Sequence, residues 1–177
     1  MPFIKAGRRV EDSFVRVRDD APIPDEFPTL VSAERFLAAS DEFADRGAPV
    51  GVIWPNNRNI SELAPYLDRL ALVALVFPTF RDGRAYSQAR LLRERYRFRG
   101  EVRATGEVLR DQFLFLARAG FDAFEIKKES DAAAFAAALR RYSVVYQPAA
   151  DQRASAFRRR FTEGVQHSDS TRTETVA

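Results

Sequence analysis

Short apolar runs alternate along the chain with segments of helical periodicity. The clearest runs lie at residues 50–54 and 71–77. A mostly apolar run of this length, bounded by polar segments, is typical of a strand buried on both faces of a parallel sheet. Further strands are predicted at residues 101–105, 122–126 and 144–146, which gives about five strands.

Segments with apolar residues every three or four positions separate these runs. Ser32 is predicted to cap a helix that Gly47 ends, and Asn59 with Glu62 forms the capping pair of a second helix. Three more helices are predicted at residues 85–96, 109–119 and 131–142. Gly120 is predicted to end the second of these, and Ser130 to cap the third. Strands and helices alternate at intervals of roughly 20–30 residues, which indicates βαβ units with parallel strands.

The alternation predicts an α/β fold, an open and mostly parallel sheet of about five strands with flanking helices. A full eight-unit barrel needs roughly 250 residues, so a half-barrel is the alternative for a chain of 177. Apolar residues on either side of residues 7–9 predict an N-terminal hairpin, and three prolines between positions 22 and 28 break regular structure after it. We expect one α/β domain over residues 1–148, with the hairpin and proline-rich connector at 1–31.

The C-terminal segment, residues 149–177, has a different character. It predicts a short basic helix around residues 158–160, followed by a disordered polar tail. No apolar run approaches the roughly 20 residues needed to cross a bilayer, and the N-terminus lacks the apolar core of a signal peptide. We therefore expect a soluble cytoplasmic protein with no membrane partner.

Composition removes several kinds of chemistry. The chain has no cysteine and a single histidine, His167, in the polar tail. Disulfides, cysteine-ligated clusters, histidine triads and histidine-rich metal sites are therefore excluded. Because glycine-rich nucleotide-binding motifs are also absent, we predict no metal site and no cofactor.

The net charge of +3 conceals two segments of opposite sign. Residues 11–45 carry ten acids and three arginines, whereas residues 79–103 carry eight arginines and three acids. This asymmetry indicates either an anionic partner for the basic segment or two complementary surfaces of one fold. No nucleic-acid-reading motif accompanies the arginines, so a nucleic-acid partner is not expected.

The loop after the run at 71–77 is the first candidate site, because ligands of open α/β sheets bind beyond the carboxyl ends of the strands. Its arginines and the following helix N-terminus could bind a small anion such as sulfite, sulfate or phosphate. The structural alternative is a turn at Asp82, an ion pair between Asp82 and a nearby arginine, and a buried Tyr86. The candidate residues are Arg81, Asp82, Gly83, Arg84, Tyr86, Ser87 and Arg90.

The neighbouring strands add further candidates. Arg103 and Glu107 lie near the end of the strand at 101–105, and Glu125 is the expected partner of Arg103 if the next strand is adjacent. Asp111 and Gln112 open the helix that follows, where the helix dipole stabilises a carboxylate. Each residue also has a structural explanation, either a cross-strand ion pair or a favourable helix end.

The middle of the chain carries a set of recognisable segments. They are Phe80, Tyr86, Ser87 and residues 67–78 (LDRLALVALVFP), 82–84 (DGR), 89–93 (ARLLR), 100–104 (GEVRA), 108–112 (VLRDQ) and 120–124 (GFDAF). In these segments the chain resembles a proteobacterial domain family of unknown function. That family is labelled an oxidoreductase of sulfite reduction, a label attributed to genes that lie beside those for assimilatory sulfite reductase. The resemblance implies a role in sulfur assimilation and supplies no mechanism.

Two functions follow from the resemblance and the missing redox residues. The first is an accessory protein of assimilatory sulfite reduction, which binds or supports sulfite reductase without a redox centre of its own. The alternative is a small anion-binding enzyme or oxidoreductase of sulfur assimilation that uses the arginine-rich loop. In the family pattern a cysteine often occupies the position of Ala119, so a redox thiol at that position is not essential in this chain.

Overall fold

The computed structural model describes residues 3–5, 7–126, 131–142, 144–151 and 153–160, which form one curled eight-stranded sheet with flanking helices. The strands are β1 (Phe3–Lys5), β2 (Arg8–Val10), β3 (Val15–Arg16), β4 (Thr29–Ser32), β5 (Val50–Trp54), β6 (Leu70–Phe77), β7 (Glu101–Gly106) and β8 (Ala123–Glu125). The α-helices are α1 (Ala33–Ala38), α2 (Arg84–Arg90), α3 (Phe113–Ala119) and α4 (Asp131–Arg140). Two 3-10 helices span Ile60–Arg69 and Arg110–Gln112, and a π-helical segment, Leu91–Arg95, continues α2.

The strands lie in the order β2-β1-β8-β7-β6-β5-β4-β3. From β3 to β8 every neighbouring pair is parallel, whereas β1 is antiparallel to both β2 and β8. Because consecutive parallel strands are neighbours, right-handed crossovers place the connecting segments on one face of the sheet. The predicted α/β class, the mostly parallel sheet and the N-terminal hairpin are confirmed, and the sheet has the form of a half-barrel.

A short segment, residues 11–14, shows how strongly the sheet curls. It joins β2 to β3, which lie at opposite edges of the sheet. Eight strands laid flat would span about 33 Å, but the steps from the end of β2 to the start of β3 reach only about 17 Å. The sheet therefore bends until its edges approach, and residues 11–14, the strap, cross its concave face.

The main core lies between the convex face and the helices. Phe124 of β8 packs against Phe113 of α3 and Phe135 of α4, with ring centroids 5.8 and 4.5 Å away. Burial of each such side chain contributes roughly 1.5–3 kcal/mol. Other members of this core that are nearly fully buried are Ile4, Phe36, Val52, Trp54, Leu63, Val73, Leu75, Phe77 and Leu92.

The capping residues of the helices agree with the prediction better than the helix lengths do. The Ser32 hydroxyl accepts a hydrogen bond from the Arg35 amide (3.1 Å), but α1 ends at Ala38, well before Gly47. The Asn59 side chain accepts from the Ser61 amide, and a 3-10 helix rather than an α-helix follows. Gly120 ends α3 in the left-handed conformation, as a helix C-cap requires.

The strands differ from the prediction in three places. The hairpin partner of β1 is β2, directly after Gly7, and the apolar residues near position 15 form β3 at the opposite edge. The predicted strand at 144–146 is wrong: Val145 makes only a single bridge, to Ser155. Strand β4, which lies directly after Pro28, was not predicted.

Residues 156–160 are helical, and the polar tail at 161–177 lies outside the described residues, as does the predicted cap Ser130. Within the described ranges, the helices are all too short or too polar to span a membrane.

Candidate functional site

A buried ion cluster lies on the concave face of the sheet. Alternation along β7 places Glu101, Arg103 and Thr105 on this face. The Arg103 side chain is 1% exposed and donates to both carboxylate oxygens of Asp12 in the strap (2.5 and 3.0 Å) and to Glu101 (2.9 Å). Lys5 of β1 binds the other Glu101 oxygen at 2.6 Å. Two cations and two carboxylates thus neutralise one another beneath the strap.

Aromatic rings enclose the same cluster. The Arg103 guanidinium lies 4.4 Å from the Phe3 ring centroid and 5.9 Å from that of Phe14 in the strap. Burial alone would lower the pKa of Arg103, but hydrogen bonds and charges from Asp12 and Glu101 outweigh it and raise the pKa. Phe14 also packs against a small apolar group formed by Leu30, Leu72 and Ala74. These contacts fill the concave face around Arg103, so Arg103 serves the fold and is not available to a ligand.

The predicted pairing of Arg103 with Glu125 is wrong. The register of β7 and β8 sets Arg103 opposite Ala123, so Glu125 lies further along, beside Thr105. The Thr105 hydroxyl donates to the Glu125 carboxylate. Strand adjacency was predicted, but register cannot be read from the two strands alone.

The carboxyl-end rim is the set of loops that follow β5, β6 and β7. In the loop after β6, Asp82 accepts from the Arg84 amide (3.3 Å) and from its guanidinium (2.9 and 2.6 Å). The Arg84 side chain holds the pKa of Asp82 well below its usual range. The structure therefore shows the structural alternative, in which Asp82 forms an ion pair with a nearby arginine. The Arg84 guanidinium is bound to a carboxylate of its own loop.

Hydrogen bonds fix the backbone of this loop to its neighbour. The Phe80 amide donates to Glu107 (3.3 Å), and the Phe80 carbonyl accepts from the Gln112 side chain (3.0 Å). The Glu107 amide donates to the Phe77 carbonyl at 2.8 Å, just after Gly106 turns with a φ of +92°. On the other side, the side-chain amide of Gln88 in α2 donates to the Pro55 and Arg58 carbonyls. The three loops form one braced rim.

Tyr86 faces inward from α2. Its ring packs edge-on against Phe77 (5.4 Å) and Phe121 (6.4 Å). Burial, and secondarily the charge of Asp111, raises the pKa of Tyr86 to about 12. Tyr86 is therefore a core residue whose hydroxyl stays protonated at neutral pH.

We expect Tyr86 to ionise late in an alkaline titration. The absorbance of tyrosinate, measured as wild type minus Tyr86→Phe, should rise near pH 12 and not near pH 10. Because the folded-state pKa exceeds the unfolded one, Tyr86 favours the folded state fully below pH 10, and this contribution is lost between about pH 10 and 12. A difference curve centred near pH 10 would contradict this packing.

The remaining candidates separate into two groups. Arg81 and Ser87 are exposed on the rim, with the Arg81 guanidinium 5.4 Å from the Phe80 ring centroid. Arg90 pairs with Glu94 along its own helical segment and does not reach the loop. The rim thus assembles Arg81, Asp82, Gly83, Arg84, Tyr86, Ser87, Glu107, Asp111 and Gln112, and leaves out Arg90, Arg103 and Glu125.

Sequence reasoning missed the strap. Asp12 and Phe14 follow a predicted turn and carry no motif, and Lys5 is one of many charges. The only available signal was Arg103 itself, since a cation in the middle of a strand requires a carboxylate from elsewhere. Across the described ranges, no group of three His, Cys, Asp or Glu residues could hold a metal ion.

Comparison with known proteins gives a family and no activity. Residues 51–157, well over half of the chain, match the family described as "Bacterial protein of unknown function (DUF934)". A search of curated proteins finds no match. The matched range contains β6, β7, β8 and every side chain of the braced rim.

Proposed function

Because this chain belongs to DUF934, a bacterial family of unknown function, we propose its function from the rim: it is an accessory protein of assimilatory sulfite reduction that binds sulfite reductase. The pathway comes from the family resemblance of the middle segment. The mode of action, binding without catalysis, comes from the geometry of the rim.

The observation that carries the proposal is an exposed aromatic on an immobilised backbone. The amide and carbonyl of Phe80 are both hydrogen-bonded to the neighbouring loop, yet its side chain is 44% exposed. The Arg81 guanidinium lies beside the ring. Aromatic and arginine side chains dominate the energetics of protein interfaces, and a braced loop loses little entropy on binding. Phe80 and Arg81 therefore form the docking element of the rim.

The arginines give less support to the anion-binding alternative. Arg84, Arg90 and Arg103 each bind a carboxylate of this chain, namely Asp82, Glu94 and Asp12. An anion at the loop would have to compete with these internal partners. Because the chain has no cysteine, a cysteine-ligated redox centre would belong to the partner.

Binding to purified sulfite reductase holoenzyme from the same bacterium tests the proposal. We expect Phe80→Ala and Arg81→Ala each to weaken the complex by about tenfold or more, the usual effect of truncating a central interface residue. Phe115→Ala is the matched control, because Phe115 is 64% exposed on α3 and is not one of the residues that form the rim. Its affinity should equal that of the wild type.

Two outcomes would count against this function. Failure of the wild type to bind the reductase at micromolar concentrations would remove it. Calorimetric binding of millimolar sulfite or sulfate to the wild type and not to Arg84→Ala, without reductase binding, would favour the anion-binding alternative.

A further inference from the structure

A second feature lies at the opposite, amino ends of the strands, before β7. The π-helical segment after α2 is closed by hydrogen bonds from the Tyr96 amide to the Leu91 carbonyl (3.0 Å) and from the Phe98 amide to the Leu92 carbonyl (2.9 Å). Arg97 then adopts a φ of +56°, the one positive value among the described non-glycine residues. Glycine usually holds this position after a helix, and π-helical turns occur frequently at functional sites.

A cleft of about 610 Å³ opens beside this turn. Its volume falls in the range of small-molecule sites, roughly 300–1,000 Å³. One wall comes from the turn and the other from the C-terminal segment. The lining residues are Arg93, Glu94, Arg97, Phe98, Arg99, Ala149 and Ala150.

Two positive charges of this cleft have no ion-pair partner in the described part of the chain. Arg93 pairs with Asp122, and Glu94 pairs with Arg90 at 3.2 Å. Arg97 and Arg99 are exposed and form no ion pair with any residue in the described part of the chain. The lining therefore includes two exposed arginines, one before and one after the buried Phe98 in the chain, that have no ion-pair partner among the described residues.

Both walls are held in place. Arg93 donates to the carbonyls of Phe98 (2.6 Å), Gly100 (2.9 Å) and Gly120 (2.9 Å), which fixes the turn that carries the two free arginines. Arg118 of α3 pairs with Asp151 at 3.3 Å and so holds the segment that contains Ala149 and Ala150. The cleft is preorganised, and among the described residues no carboxylate pairs with Arg97 or Arg99.

We infer that this cleft binds a phosphate-type dianion carried by a small molecule. Two guanidinium groups match a dianion in charge, and each can donate two parallel hydrogen bonds to its oxygens. The volume leaves room for the organic part beside the alanines. This site is separate from the rim, so it does not depend on the docking of a reductase.

Calorimetric titration with inorganic pyrophosphate at low ionic strength tests the inference. Arg97→Gly removes one guanidinium group. It also places glycine, the residue that adopts the left-handed conformation most easily, at a position with positive φ, so the thermal unfolding midpoint of the variant should not fall. We expect Arg97→Gly and Arg99→Gln to weaken binding by about tenfold or more. The control is Arg140→Gln, since Arg140 is exposed at the end of α4 and has no ion pair in the described ranges.

Titrations with further ligands identify the class of molecule that carries the bound negative charge. Saturable binding of adenosine monophosphate with the same loss in Arg97→Gly supports a phosphorylated small molecule, and tighter binding of citrate would assign the cleft to carboxylates and overturn the inference. It is also overturned if pyrophosphate does not saturate the wild type at millimolar concentration, or if Arg140→Gln weakens binding equally. A single-stranded oligonucleotide that binds without competition from pyrophosphate would overturn it as well.

Discussion

Replacement of Arg103 by methionine is expected to lower the free energy of unfolding by about 3–5 kcal/mol. Methionine fills part of the volume but leaves the Asp12 and Glu101 carboxylates without their shared cation, and removing one partner of a buried ion pair typically has an effect of this size. The side chains of Arg103 and Glu101 are 1% and 10% exposed, so water can solvate the unpaired charges only from the side of Asp12, which is 32% exposed. Urea denaturation monitored by circular dichroism measures the difference.

The matched control is Arg90→Met. Arg90 also pairs with a carboxylate, Glu94, but both side chains are about half exposed (58% and 48%), and such surface pairs contribute roughly 0–1 kcal/mol. Asp12→Asn combined with Arg103→Met should recover part of the loss, because one of the unpaired charges is then removed. A loss below about 1 kcal/mol in Arg103→Met would contradict a structural role for the cluster.

Gly106→Ala is expected to destabilise the protein by about 3 kcal/mol, through backbone strain and a steric clash. Gly106 has a φ of +92°, and a Cβ built on it would lie 2.4 Å from the Phe77 carbonyl oxygen. That oxygen accepts the Glu107 amide, so any relief of the clash also loosens the brace of the rim. Thermal and urea unfolding should both report the loss.

Gly47→Ala provides the comparison for this substitution. No atom lies within 4 Å of a Cβ at Gly47, so the alanine should change stability by less than about 1 kcal/mol and can stabilise the protein by restricting the unfolded chain. Equal effects of the two substitutions would show that the conformation of Gly106 is not required.

Much of the fold could be predicted because its signals are local. The apolar run of β6 lies within a few residues of its predicted ends, and the caps at Ser32, Asn59 and Gly120 act within one helical turn. The spacing of the apolar runs also indicated parallel strands, because each segment between two runs is long enough for one crossover connection. What was missed locally is β4, which occupies the few positions between Pro28 and the Ser32 cap.

The candidate site could be predicted only in part, because its contacts are not local. Arg103 and its partner Asp12 are separated by 91 positions, and the strap reaches Arg103 only because the sheet curls. The loop after β6 lies at the carboxyl edge of the sheet, as the order of the strands predicted, because the ends of parallel strands share one edge. That Arg84 of this loop binds Asp82, whereas Arg81 lies beside the Phe80 ring, depends on side-chain geometry that spacing does not contain.

Growth of a deletion strain with sulfite as sole sulfur source tests the proposed function most directly. The strain should grow poorly on sulfite and normally on cysteine, and the wild-type gene and Phe115→Ala should restore growth. Phe80→Ala should fail to restore it at an equal level of folded protein. Normal growth of the deletion strain on sulfite, or full rescue by Phe80→Ala combined with Arg81→Ala, would contradict the account.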